Sequence, residues 1–438
     1  MRPQPPDFTD VTKDNISSLE HIIKNALNRA SFIALDTEFT GLGGKEANTR
    51  ASNIEERYIN LCKVVKTHAV VAFGITVFED LTESGQVASE GLEKQYNVYN
   101  FNFTLFSQVD YIMSPRSLQF LSDSGFDFNK QIRRGIPYTP GRDPTSANSN
   151  DPNAILRSIF FHILTRNVPI VVHNGFLDLI YIYYSFYAEL PEKLSTFIAD
   201  LTEMFPAGIV DTKYIADYVT REKSSFLAYL FRKYEREQVD HKNAGDKNYL
   251  LIRIQKGCDN SQWTNMDVYE KTHTDVISTK RPLEQRYCEQ YAMHGFCSQR
   301  MRCGNSHDLD FILNEQAKEV NSKRKRRKGS KNQSEEIRQA HMNEESSDNS
   351  IEHVSASMPP TVIPSTKPDQ YYNYHSAHFD AYMTGFIFAR QLMKYTSATV
   401  MNEYKNKLYL ISKNIPLLVE KSQFSKTSIG HQEKQKSL

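Results

Sequence analysis

Asp36 and Glu38 in ALDTEF, Asp178 in VVHNGFLDL, and His375 and Asp380 in YHSAHFDAYMTG each sit beside an apolar run that can carry them into a core. Four carboxylates brought together can bind a pair of divalent cations, and a nearby imidazole can take a proton from water. Together these are the requirements for cutting a phosphodiester. On a strand, residues i and i+2 point to the same side, so Asp36 and Glu38 can share one ion. Taken alone, a D-x-E is an ordinary solvated strand end, but this one follows FIAL directly, where charge is costly to bury unless it is paired or bound to a cation. Asp178 falls in the first turn of a helix expected to start where VPIVV ends. Helix dipoles favour an acid there, and α/β folds place ligands there. Asp380 opens another helix, with His375 five residues earlier in the preceding loop. A histidine of ordinary pKa near 6.5 can act as a base at neutral pH, and His375 is taken as that base. His378, within the first helical turn, is its rival. His173 and Asn174 are assigned to hydrogen bonding in their turn, and Asp211 in VDTK to capping the helix that follows.

A second constellation is Cys288, Cys297, Cys303 and His307, spaced C-x8-C-x5-C-x3-H. Three thiolates and an imidazole complete a closed tetrahedral shell for one Zn²⁺, in a segment with almost no apolar core of its own. The spacing is similar to that of CCCH fingers that bind single-stranded RNA. Those fingers hold bases between aromatic rings on the short spacers, whereas SQRMR and GNS here contain none. Arg300 and Arg302 could hold phosphates, Tyr291 and Phe296 could simply pack the finger, and docking to a protein stays open. Cys62 and Cys258 are left over as ordinary reduced thiols.

The elements that must position these groups alternate. Residues 15–30 have helical apolar spacing, SFIALDTEF, 68–78 and 98–106 read as three strands of a meander, and 117–133 and 153–166 read as helices. A buried strand at 168–172, helices at 176–188 and 193–204, and a short strand at 407–412 follow. This alternation argues for a layered α/β domain. The expected division is one α/β domain in two parts, 1–240 and 369–414, separated by an insertion at 241–283, the finger at 284–310 and a disordered basic linker at 311–368, with a flexible tail at 415–438.

The 438 residues carry a formal net charge of +1, so no whole-molecule field draws in nucleic acid and any such binding must come from local patches. One such patch is KRKRRK (323–328), which reads as a nuclear import signal or a phosphate-binding tether. Lysines 405, 407, 413, 421 and 426 could guide RNA or merely solubilise the surface. MRPQPPDFTD has no apolar stretch of the secretory kind, and the greasiest segment, near 168–190, is interrupted by His173, Asn174 and Asp178. A nuclear protein with no membrane association is expected.

In order, the D-x-E, HNGFLD and H-x4-D blocks resemble the three motifs of the DEDDh 3′–5′ exonucleases. GFDFNKQ (125–131), GIPY (135–138) and FPAGIVDTKY (205–214) are similar to segments of the poly(A)-specific ribonuclease and related deadenylases, and the resemblance covers about 10–240 and 370–412. The finger and basic run are similar to those of a nuclear branch of that family that trims 3′ tails of small nuclear RNAs. The resemblance implies an RNase H-like exonuclease fold with a mixed central sheet flanked by helices. It also implies two Mg²⁺ ions, with Asp36 bridging both, Glu38 and Asp380 completing the first, Asp178 serving the second, and His375 as general base. The implied partners are RNA with an adenosine-rich 3′ tail, a nuclear import receptor and proteins reached through the finger. A silent RNA- or protein-binding scaffold and a DNA exonuclease remain open as alternatives, because the contacts that read a 2′-hydroxyl leave no local signature.

Overall fold

The structure, a computed structural model, describes residues 6–82, 94–142, 151–257, 262–266, 286–299, 302–319, 375–395 and 397–436. Cys258, Arg300 and the basic run 323–328 lie outside them.

Eleven strands among the described residues form one mixed sheet: β1 (Thr9–Val11), β2 (Phe32–Phe39), β3 (Val70–Asp80), β4 (Lys94–Ser107), β5 (Ile136–Tyr138), β6 (Ile170–Val172), β7 (Ile209–Asp211), β8 (Leu250–Gln255), β9 (Trp263–Asn265), β10 (Lys407–Leu408) and β11 (Leu417–Leu418). The order across the sheet is β11-β10-β7-β6-β2-β3-β4-β8-β9, with β1 and β5 also paired to β4. β2, β3 and β4 are antiparallel neighbours, as a meander requires, while β6 and β7 extend the sheet in parallel from β2.

Alternation along β2 divides the core. Ile33 and Leu35 enter one apolar cluster, with α1 (Ile16–Asn28), α2 (Ile54–Thr67), α5 (Pro152–Thr165), α6 (Phe176–Ile182) and α7 (Leu194–Met204). Phe32 and Ala34 enter the other, beneath α9 (Leu227–Asn243) and α12 (Ala377–Lys394). Further helices include α3 (Pro115–Asp123), α4 (Phe128–Arg134), α8 (Thr212–Tyr214), α10 (Glu289–His294), α11 at 309–319 and α13 (Ile429–Gln435). Among the described residues no helix is long and apolar enough to cross a membrane.

Several expectations are corrected. The helix expected over 117–133 is two helices, because Gly125 at φ 78° ends the first and the Asp127 side chain caps the second by accepting from the Lys130 amide. The segment between β2 and β3 contains α2, whose buried Arg57 donates to the carbonyls of Arg50, Ala51 and Ile411 and so interrupts the apolar pattern. The expected insertion at 241–283 contributes β8, which runs parallel to β4 inside the sheet. The expected linker at 311–368 begins as α11, with Ile312 buried and Asp310 gripped by Arg232 at 2.8 and 2.9 Å. The tail at 415–438 docks: His431 is buried, pairing with the Tyr187 hydroxyl at 2.8 Å and Glu203 at 2.9 Å.

α12 lies flat on β2 and β3 because Gly74 has no side chain. A Cβ at that position would sit 2.0 Å from the Ala377 carbonyl oxygen. Gly74 is also the register partner of Asp36, so the same absence brings the first turn of α12 down beside that acid. Gly74→Val should therefore lower stability by about 1–3 kcal/mol through overpacking, measured by urea denaturation. An unchanged midpoint would mean that the helix can seat itself without this gap.

Candidate active site

Ligand atoms of Asp36, Glu38 and Asp380 all lie within 4.8 Å of one another. Asp36 and Glu38 share the α12 face of β2 through strand alternation, and Asp380 reaches them from the first turn of the helix that Gly74 admits. Asp178, in the first turn of α6, approaches from the opposite face. Its Oδ1 accepts from the hydroxyl of Thr37, the residue between the two strand acids, at 2.6 Å. Thr37 has no catalytic signature of its own in the sequence, although its place in D-T-E puts it on the other side of the strand.

Electrostatics mark these acids as a group that resists ionising together. Burial raises Asp36 well above its ordinary range, and the charges of Asp380, Asp178 and Glu38 add to the effect. Glu38 is pushed from 4.5 to about 8 by burial and by Asp380, against the opposing pull of His375. Burial lifts Asp178 to about 6 despite the Thr37 hydrogen bond. Asp380 is raised by burial, with His375 opposing. Its Oδ1 is buried without a hydrogen-bond partner. Oxygen donors crowded in this way, one of them orphaned, fit a hard divalent cation.

The two candidate bases have different surroundings. His375 has a half-exposed ring, with Nδ1 3.8 Å from Asp380 Oδ2. Burial would lower its pKa, but the nearby carboxylate of Asp380, with the charge of Glu38, outweighs that and raises it. Phe120 of α3 lies against this ring at 4.9 Å between centroids, a contact that spacing alone did not suggest. His378 is 8% exposed and stacked on Phe8 at 3.8 Å, and burial drives it down to about 3. A ring held neutral and packed on phenylalanine is poorly placed to take a proton from water. Asp211 caps α8, accepting from the amides of Asn174, Lys213 and Tyr409 at 2.9–3.0 Å. His173 pairs with Thr212 and the Ser225 carbonyl, while Asn174 takes the turn at φ 59°.

Cys288, Cys297, Cys303 and His307 also converge, with ligand atoms within 4.8 Å of one another. Cys288 caps α10, and Tyr291 stacks on the His307 ring at 4.5 Å and 11°. His307 Nε2 is buried without a partner, which fits a fourth metal ligand. Cys62 stands apart with its thiol raised to about 11, so it stays protonated. Lys407 and Lys421 are engaged by the Glu403 carbonyl and Glu203.

A profile described as CAF1 family ribonuclease matches residues 11–153 and 145–388. The chain is 32% identical over 142 residues to poly(A)-specific ribonuclease PARN of Bos taurus, covering 30% of this chain and 21% of that protein. It is 27% identical over 186 residues to probable CCR4-associated factor 1 homolog 7 of Arabidopsis thaliana, covering 40% of this chain and 66% of the relative. The chain thus spans about a fifth of the length of the PARN relatives it matches. Among solved structures, the Mg²⁺- and Mn²⁺-bound form of S. pombe Pop2p aligns with a TM-score of 0.39 and 20% identity, over 53% of this chain and 83% of that one.

The direction of the Glu38 shift sets a pH dependence. A carboxyl raised on folding keeps its proton in the native state after the unfolded chain has lost it, so stability falls as pH rises from about 4.5 to about 8. Below that window Glu38 carries no penalty. In chelator, Glu38→Gln should be more stable than the parent at the top of the window, by on the order of a few kcal/mol, and the two should converge at its foot. Parallel stability curves across this range would contradict the repulsion described here.

Proposed function

We propose, on the footing that this chain belongs to the CAF1 family of ribonucleases, that it is a metal-dependent 3′–5′ exoribonuclease removing adenosine-rich tails from RNA. The observation that carries the reading is the convergence of Asp36, Glu38 and Asp380 with His375 beside them. Asp36, Glu38 and Asp380 would hold one Mg²⁺ and Asp178 would serve a second. Such a pair, when bound, activates water and stabilises the departing 3′-oxygen. His375 takes the proton of the attacking water, its half-open ring giving that proton a route to solvent and Asp380 holding the charged form. Water oxygen joins the terminal phosphorus as the bond to the 3′-oxygen breaks, which releases a nucleoside 5′-monophosphate.

The finer reading is a nuclear enzyme acting on small non-coding RNA such as small nuclear RNA. It is supported by the Cys288, Cys297, Cys303 and His307 cluster as a Zn²⁺ site and by KRKRRK as an import signal read by a nuclear receptor. The finger offers a surface to RNA or to protein partners.

With Mg²⁺ and a 3′-oligo(A) RNA, Asp36→Asn and Asp380→Asn should abolish the product ladder. His375→Ala should lose about 10²–10⁴-fold in rate and His378→Ala far less. Undiminished trimming by the aspartate variants would reject the assignment, and the reverse order of the histidines would move the base. Cys297→Ser should lose one bound zinc per chain by elemental analysis; full zinc content in that variant would exclude the site.

A further inference from the structure

The Cys/His segment packs beside the carboxylate site at two separate places. At the first, the Ser224 hydroxyl donates to the Met293 carbonyl at 3.1 Å, and the Tyr291 and Phe226 rings lie 5.9 Å apart. Gly295, at φ 68°, lies so close to Phe226 that an added Cβ would be 2.8 Å from the ring. This seat belongs to the Asp178 side of the site, because the Ser225 carbonyl accepts from His173 at 3.0 Å, and His173 leads through Asn174 into α6.

At the second place, the Arg116 guanidinium of α3 lies over the Phe296 ring, 5.5 Å from its centroid. One helical turn further on, Phe120 meets the ring of His375. This seat therefore belongs to the wall that carries the base. Behind the segment, Arg232 and Arg236 clamp Asp310 at the start of α11, so the segment is fixed to the core rather than swinging from a tether. Residues 291–296 thus touch both neighbourhoods, Ser224 and Phe226 next to the His173 turn and Arg116 one turn from Phe120. Phe296 is 43% exposed, so packing within the finger does not account for its face.

We infer that the finger is a fixed bridge beside the carboxylate site, with Phe296 and Arg116 bounding it on the side of the base, and that this bridge sets how near a double-stranded stretch of RNA can come to the carboxylates. A single strand passes beneath such a bridge, whereas a duplex stops against it. The inference rests on the exonuclease reading above and adds a determinant of substrate form to it.

The test uses the full chain with Mg²⁺ and an RNA hairpin carrying a 3′-oligo(A) tail, and reads where trimming stops. The stop should move toward the duplex by about one to two nucleotides in Phe296→Ala and in Arg116→Ala, one nucleotide of strand being about 3.4 Å. Gly295→Val, which pries up the other seat, should move it in the same direction. A stop at the parent position in all three variants would overturn the bridge. If the parent trims a short single-stranded oligomer, such an unmoved stop strikes this inference alone; if the parent trims nothing, the exonuclease reading falls and takes the inference with it.

Discussion

Holding Asp36, Glu38 and Asp380 together, with Asp178 behind Thr37, is the one arrangement here that opposes folding and yet organises the rest. Burial pushes all four carboxyls upward, repulsion within the set adds to this at Asp36 and Glu38, and no lysine or arginine makes an ion pair with any of the four among the described residues. Among the described residues the one base paired with them is His375, at 3.8 Å from Asp380. Desolvated like charges persist only where the surrounding structure over-determines them, and they mark a place where positive charge is meant to arrive.

The surroundings meet that requirement with rigid elements. β2 runs in the middle of the sheet, paired with β3 through both Asp36 and Glu38 and with β6 at Ile33 and Ala34, so the acids extend from a strand whose root is held on both sides. Both faces of the sheet are covered by apolar clusters, and α12 is buried over almost its whole length, from Ala377 to Gln391. Phe379, Tyr382, Met383, Phe386 and Ile387 give that helix one apolar stripe in sequence. It is enclosed beyond that stripe as well, and α9 lies over it, where Phe231 meets Phe379, Tyr382 and Phe386. Gly74 then sets the height of the helix above the strand, and with it the reach of Asp380.

Much of this was legible in the residues. The site acids stand beside apolar runs whose period announces the strand or helix, so their grouping followed from pattern and resemblance together. Other features could not be read. Thr37 is a small side chain whose importance comes from what lies behind the strand, and Phe120 meets His375 across more than two hundred residues of chain. α2 was hidden by Arg57, a charged residue buried by bonding backbone carbonyls. The C-terminal helix is short and polar, and β8 is a brief apolar alternation (Leu250, Ile252, Ile254) set among polar stretches; the order of each comes from partners distant in sequence, Tyr187 and Glu203 for the helix and β4 for the strand. Local periodicity carries no information about such pairings.

The claim on which the account stands is that these carboxylates exist to hold divalent cations. Titrating Mn²⁺ into the purified chain and following the free ion by electron paramagnetic resonance tests it directly. The account predicts two ions taken up per chain, with uptake lost when Asp36 is replaced by asparagine. A parent chain that leaves all the Mn²⁺ free, or an Asp36→Asn variant that binds as the parent does, would contradict it.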